Sequence, residues 1–195
     1  MARTLDDAGV RRGVNWRVVG WGMAAFVLLL PFLAMQVTSE VDWDETDFIT
    51  IGAMLAIAGG TIELGARMSR NWSYRGGVGV AVLATFLLIW VNLAVGFLGS
   101  ERNPANLMFF GVFAVGIAGA FIVGFRPAGM AKAMAATAAA QVVVGVVALA
   151  AGLGSAGYDG VYEVVMGSSL FGGMWLASAW LFRRADRQIS AVPAA

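Results

Sequence analysis

The stretch at residues 78–98, VGVAVLATFLLIWVNLAVGFL, runs 21 residues without a charge and carries only Thr85 and Asn92 as polar side chains. At 1.5 Å per residue a helix of that length covers roughly 30 Å, the thickness of a bilayer's hydrocarbon core. It has no polar stripe to present to water, so it reads as a membrane-crossing helix and not as an amphipathic one packed on a soluble core.

The same criterion finds five more runs, separated by charge, Gly or Pro, at 18–37, 48–65, 107–125, 130–152 and 161–182. The sequence therefore predicts an all-α polytopic membrane protein with six transmembrane helices in one bundle. The expected organisation is a cytoplasmic N-terminal segment at 1–17, a membrane domain at 18–182 and a cytoplasmic tail at 183–195. Short connections favour sequential helices as antiparallel neighbours. Composition agrees with the class: 59% of residues are hydrophobic, 13% are charged, and the mean hydropathy is +0.78. Such values lie outside the range of a soluble domain.

Charge sets the expected orientation. Twelve of the thirteen Lys and Arg fall on one side of the six spans: Arg3, Arg11, Arg12 and Arg17, then Arg67, Arg70 and Arg75, then Arg126 and Lys132, then Arg183, Arg184 and Arg187. Arg102 stands alone on the other. The positive-inside rule then puts both termini in the cytoplasm. The basic side reads as topology plus attraction to anionic lipid headgroups, with no nucleic-acid partner implied.

Absences narrow the function. The chain has no Cys and no His. Thiolate chemistry, imidazole-ligated haem, a His-containing triad and the usual zinc sites are thereby excluded. No catalytic constellation is present and no cofactor is identified; a weak divalent-cation site in the outer acidic segment is the alternative to a solvated loop, and an enzyme would have to rely on carboxylates alone. The densest carboxylates are Asp42, Asp44, Glu45 and Asp47 in SEVDWDETD, expected as a solvated acidic loop facing outward.

Inside the spans, polar residues need partners, which singles out Glu63, Asn92 and Gln141. Glu63 shares a helix face with Gly52, Ala56, Gly60 and Arg67, a small-residue stripe expected to contact another helix, and it stands four residues before Arg67 in ion-pair order. Asn92 aligns with Thr85, and Gln141 with Thr137 and Gly145. Both amides are expected to act as interhelical hydrogen-bonding groups. The alternative is a polar track for a solute or ion, running from Glu63 through Ser178, Thr85 and Gln141 to Asn92, Ser168 and Glu163.

Asn103-Pro104-Ala105 is the tripeptide of water-channel pores. Water channels use two copies at the ends of re-entrant half-helices, and this chain has one, in a turn. It reads instead as a helix start, with Asn103 as N-cap, Pro104 at the first helical position, and Gly99 and Ser100 ending the helix before it. A cap reading makes Asp or Ser acceptable in place of Asn103.

Two segments, VDWDETDFITIGAMLAIAGGTIELGAR and WVNLAVGFLGSERNPANLMFFGV, resemble a family of small, uncharacterised bacterial multi-pass inner-membrane proteins across about residues 42–127. The resemblance implies a bacterial inner membrane and a shared fold, and carries no activity. The function expected from the whole is a structural or accessory inner-membrane protein, with the bilayer and a homo-oligomer or membrane complex as its partners. A small-solute or ion carrier is the alternative.

Overall fold

The computed structural model describes residues 16–155 and 158–191. They form α1 (Trp16–Ala34), α2 (Glu45–Met68), α3 (Trp72–Ala94), a 3-10 turn (Pro104–Leu107) leading into α4 (Met108–Ile122), α5 (Pro127–Ala150) and α6 (Tyr158–Ser190). Among the described residues six helical segments are long and apolar enough to cross a bilayer, the 3-10 turn and α4 counting as one. These are the proportions of a multi-pass membrane protein.

Two compact units divide within α2, between Gly59 and Gly60. In the first, the indole of Trp21 on α1 lies against Gly59 of α2, where a Cβ would stand 3.1 Å from the ring. Pro31 sits inside α1 and removes the N–H that would bond the carbonyl one turn back, yet the helix continues to Ala34. The start of α2 is a reciprocal cap. The Asp47 N–H donates to Asp44 Oδ1 at 3.0 Å, and the Asp44 N–H donates to Asp47 Oδ2 at 3.1 Å. This is a capping box built from two aspartates, placed where the helix dipole favours negative charge.

In the second unit α6 is the central helix. It packs on α3 along one side and on α5 along the other, and α5 in turn packs on α4. The order in space is α3, α6, α5, α4, so α3 and α4 are not the packed neighbours that sequence order suggests. Their connection, residues 95–103, can reach roughly 30 Å when extended and does not force its helices together. The seam on α6 explains its position: Val164, Phe171, Trp175, Ser178, Phe182 and Ala185 are all buried, and from Phe171 onward they recur at three- and four-residue intervals, with Val164 two turns earlier.

Contacts within this unit rely on small residues. A Cβ on Gly77 would meet the Phe182 ring at 3.1 Å, on Gly119 the Ala133 Cβ at 2.9 Å, and on Gly116 the Thr137 Oγ1 at 3.1 Å. Close backbone approach of this kind gives the packing attraction that holds helices together where the solvent is itself apolar. Large apolar side chains point the other way, with Leu83, Phe110, Ile117, Phe121, Val143 and Leu170 all exposed. A surface like that would aggregate in water and is well solvated by lipid tails.

Several boundaries differ from those expected. α3 ends at Ala94, short of Leu98, because Gly96 adopts φ +74 and its N–H turns back to Val91 O at 3.0 Å. Phe97 and Leu98 then fold into the core as loop residues. Gly99, also at positive φ, belongs to the loop and does not end the helix. α6 continues unbroken past Phe182 to Ser190, so Arg183, Arg184 and Arg187 ride on its final turns. The expected segments at 1–15 and 192–195 lie outside the described residues.

Where α2 meets α3, Arg75 reaches back to cap α2, donating from Nε to Ser69 O and from Nη2 to Ala66 O, both at 2.8 Å. A cation on those terminal carbonyls is favoured by the helix dipole. Asn71 caps α3 by accepting from the Tyr74 N–H. The Asn71 amide and the Ser73 hydroxyl both donate to Gln188 Oε1, tying the end of α6 to the start of α3. The Tyr74 hydroxyl donates to the carbonyl of Phe125, which bends between α4 and α5 at φ 59.

Candidate functional site

Glu63 and Arg67 form an i, i+4 ion pair on the last turns of α2, with Arg67 Nη2 2.5 Å from Glu63 Oε1. The Arg67 side chain is 66% exposed and that of Glu63 20%. The small-residue stripe they share makes no close approach at Gly52 or Gly60 among the described residues. A Cβ on Gly52 or Gly60 would meet nothing within 4 Å, and Ala56 and Gly60 are exposed. The close approach falls at Gly65, where a Cβ would lie 2.9 Å from Val78 of α3. Gly65 is about 200° around the helix from Glu63, so packing of this end selects the face opposite the one the stripe suggested.

The acidic residues Asp42, Asp44, Glu45 and Asp47 are all exposed. Two of them are explained by the capping box of α2. Among the described residues no three carboxylates come together in a way that could hold a metal ion.

The core of the second unit is a different environment. Its buried polar residues are Asn106, Thr137, Gln141 and Ser178. Ser178 donates to Gly77 O across the α3–α6 contact at 2.8 Å. Thr137 and Thr85 bond carbonyls one turn back on their own helices, as does the Asn92 amide nitrogen. Gln141 makes no such bond: its side chain is fully buried, and neither amide atom has a hydrogen-bond partner. Asn92 Oδ1, Ser168 Oγ and Trp175 Nε1 are likewise buried and without partners.

Three of these orphan groups, Gln141, Ser168 and Trp175, belong to the α5–α6 contact. A Cβ on Gly145 would stand only 2.5 Å from Ser168 Oγ, so Ser168 of α6 sits on α5 one turn from Gln141. Ser168 and Trp175 are seven residues apart and share a face of α6. The wider polar track does not form a line of connected groups. Ser178 and both threonines are spent on carbonyls, and Glu163 accepts from the Ser155 hydroxyl and N–H. Phe97 packs into the core from the α3–α4 loop, its ring tilted against those of Phe109 at 4.5 Å and Phe171 at 5.8 Å between centroids.

Asn103 caps the 3-10 turn, with its Oδ1 accepting from the Ala105 N–H at 3.0 Å. Its amide nitrogen has a second role that a simple cap lacks. It donates to Leu98 O at 2.8 Å and to Leu153 O at 2.9 Å, joining the α3–α4 loop to the α5–α6 loop. These two bonds count against the expectation that Asp could replace Asn103, since a carboxylate cannot donate to two carbonyls. Asn106 completes the knot by accepting from the Leu98 N–H and donating to Ser100 O.

Sequence reasoning missed Asn106 and Trp175. A signal existed for Trp175: it lies near the middle of its span, away from the interfacial belts, where an indole N–H needs a partner. Asn106 falls outside the apolar runs and gave none. No protein-family model matches the chain, and neither curated proteins nor solved structures give a match.

Proposed function

We propose that the chain is a structural or accessory protein of the bacterial inner membrane, with both termini in the cytoplasm. The close helix packing of the second unit carries this reading. Helices meet directly at Gly77, Gly116, Gly119 and Gly145, and the Phe97 ring packs against those of Phe109 and Phe171. A carrier needs a wet, continuous path, whereas Thr85, Asn92, Thr137 and Ser178 donate to backbone carbonyls and do not join the unpartnered groups of the α5–α6 contact into a line. The apolar exterior supports lipid as the immediate partner, and α1, with no buried residue, offers a whole helix to a second copy or a larger membrane complex. The count of twelve basic residues against one supports the orientation.

The carrier reading retains one supporting observation, the unpartnered amide of Gln141. Reconstitution in proteoliposomes separates the two. The accessory reading expects water, glycerol, proton and alkali-ion fluxes equal to those of empty vesicles, and a specific flux abolished by Gln141→Leu overturns it. Reporter fusions after Ala195 and within residues 39–46 test orientation separately, and both must report opposite compartments.

A further inference from the structure

We propose that the α5–α6 interior is a binding site for water, built from the Gln141 amide, the Trp175 indole N–H and the open side of Gly172. The contact of Gly145 with Ser168 sets the register of these antiparallel helices. Counting in opposite directions from that contact puts Gln141 level with Gly172. Side chains on a helix lean toward its N-terminus, so Gln141 leans toward the level of Trp175 while Trp175 leans back toward Gln141. Ser168, Gly172 and Trp175 follow one another on the same face of α6.

Gly172 supplies the space. It is buried, yet a Cβ built on it would meet no atom within 4 Å, in contrast to Gly145 one layer away. Room of that kind beside unpartnered donors and acceptors is where proteins hold internal water. An amide offers two donors and two acceptors and the indole one donor, which matches a guest that both donates and accepts. The guest is uncharged, because among the described residues the buried polar side chains of this unit are Asn106, Thr137, Gln141 and Ser178, none of which could balance an ion. It is also small, since Phe171 and Trp175 flank Gly172 on α6 and are themselves buried in the apolar core.

The chain has three glutamines, Gln36, Gln141 and Gln188, so selective 15N labelling yields three side-chain amide signals. In bilayers, solid-state NMR with short magnetisation transfer from water should reach the signal that Gln141→Leu removes, and should weaken in Gly172→Ala, where a methyl takes the water's place. Transfer to Gln36 and Gln188 without transfer to Gln141 overturns the proposal. A stability comparison tests it independently. Gly173→Ala, on the exposed side, measures the helix-propensity gain alone. Gly172→Ala should fall below it in thermal midpoint, because the displaced water leaves the amide and indole unserved. A midpoint for Gly172→Ala equal to or above that of Gly173→Ala, as a filled dry void would give, refutes the site.

Discussion

Replacing Asn103 by Asp keeps the cap and removes the tie. The Asp side chain still accepts from the Ala105 N–H, which by itself leaves the 3-10 turn intact. What is lost is the pair of bonds to Leu98 O and Leu153 O, each contributing about 1 kcal/mol net. An ionised oxygen would then face two carbonyl oxygens that the wild-type NH2 meets at 2.8 and 2.9 Å. The expected cost is at least ~2 kcal/mol, close to the ~3 kcal/mol for Asn103→Ala, which loses the cap and both donors. Asn103→Ser, able to donate one bond, should fall between wild type and Asp.

The Asp variant should also acquire a pH dependence. Repulsion from the carbonyls raises the folded-state pKa of the introduced carboxyl above its unfolded value, so the native state binds the proton more tightly. Its deficit is smallest below the unfolded pKa, where the neutral acid donates one bond, and grows as pH rises through the folded pKa. Unfolding in mixed micelles, followed by tryptophan fluorescence across pH, measures both effects. An Asp variant within ~0.5 kcal/mol of wild type at neutral pH would show that capping alone explains Asn103 and that the loop tie is without energetic weight.

Three further outcomes follow from the packing and the surface. A double-mutant cycle on Glu63→Gln and Arg67→Gln should give a coupling below ~1 kcal/mol, because the arginine is largely exposed, and a larger value would mean the pair is shielded. Gly145→Ala should destabilise by ~1–3 kcal/mol through collision with Ser168, and Ser168→Gly in the same chain should recover part of the loss; an additive pair would sink the contact. Asp47→Ala should cost on the order of 1 kcal/mol by opening the capping box of α2, whereas Glu45→Ala, outside the reciprocal pair, should be near neutral; equal effects would assign the acidic segment to something other than capping.

Span existence was legible because hydrocarbon thickness imposes a length that an uncharged run either meets or misses. Helix neighbours were not legible, because a loop constrains two ends and not two faces. The 95–103 connection joins helices that leave room for α6 between α5 and α3. The face of α2 was misjudged for a related reason. Gly52, Ala56 and Gly60 form a stripe as regular as any contact face, but the close approach is set by Gly65 against Val78, a pairing visible only once α3 is in place.

At single residues the limit is chemical. A cap motif reports what an oxygen accepts, and Asn103 shows that the nitrogen of the same amide can carry more of the structure. Its partners, Leu98 O and Leu153 O, are backbone atoms, which no side-chain pattern encodes. Gln141 is the converse case. Its place on a small-residue face pointed to interhelical hydrogen bonding, and the helices do meet beside it, yet the adjoining positions are Gly145 and Gly172, which have nothing to offer an amide. Glycine on both sides of a buried amide trades partner groups for proximity and space, and that exchange moves the hydrogen bonding of Gln141 from the protein to whatever small molecule can enter.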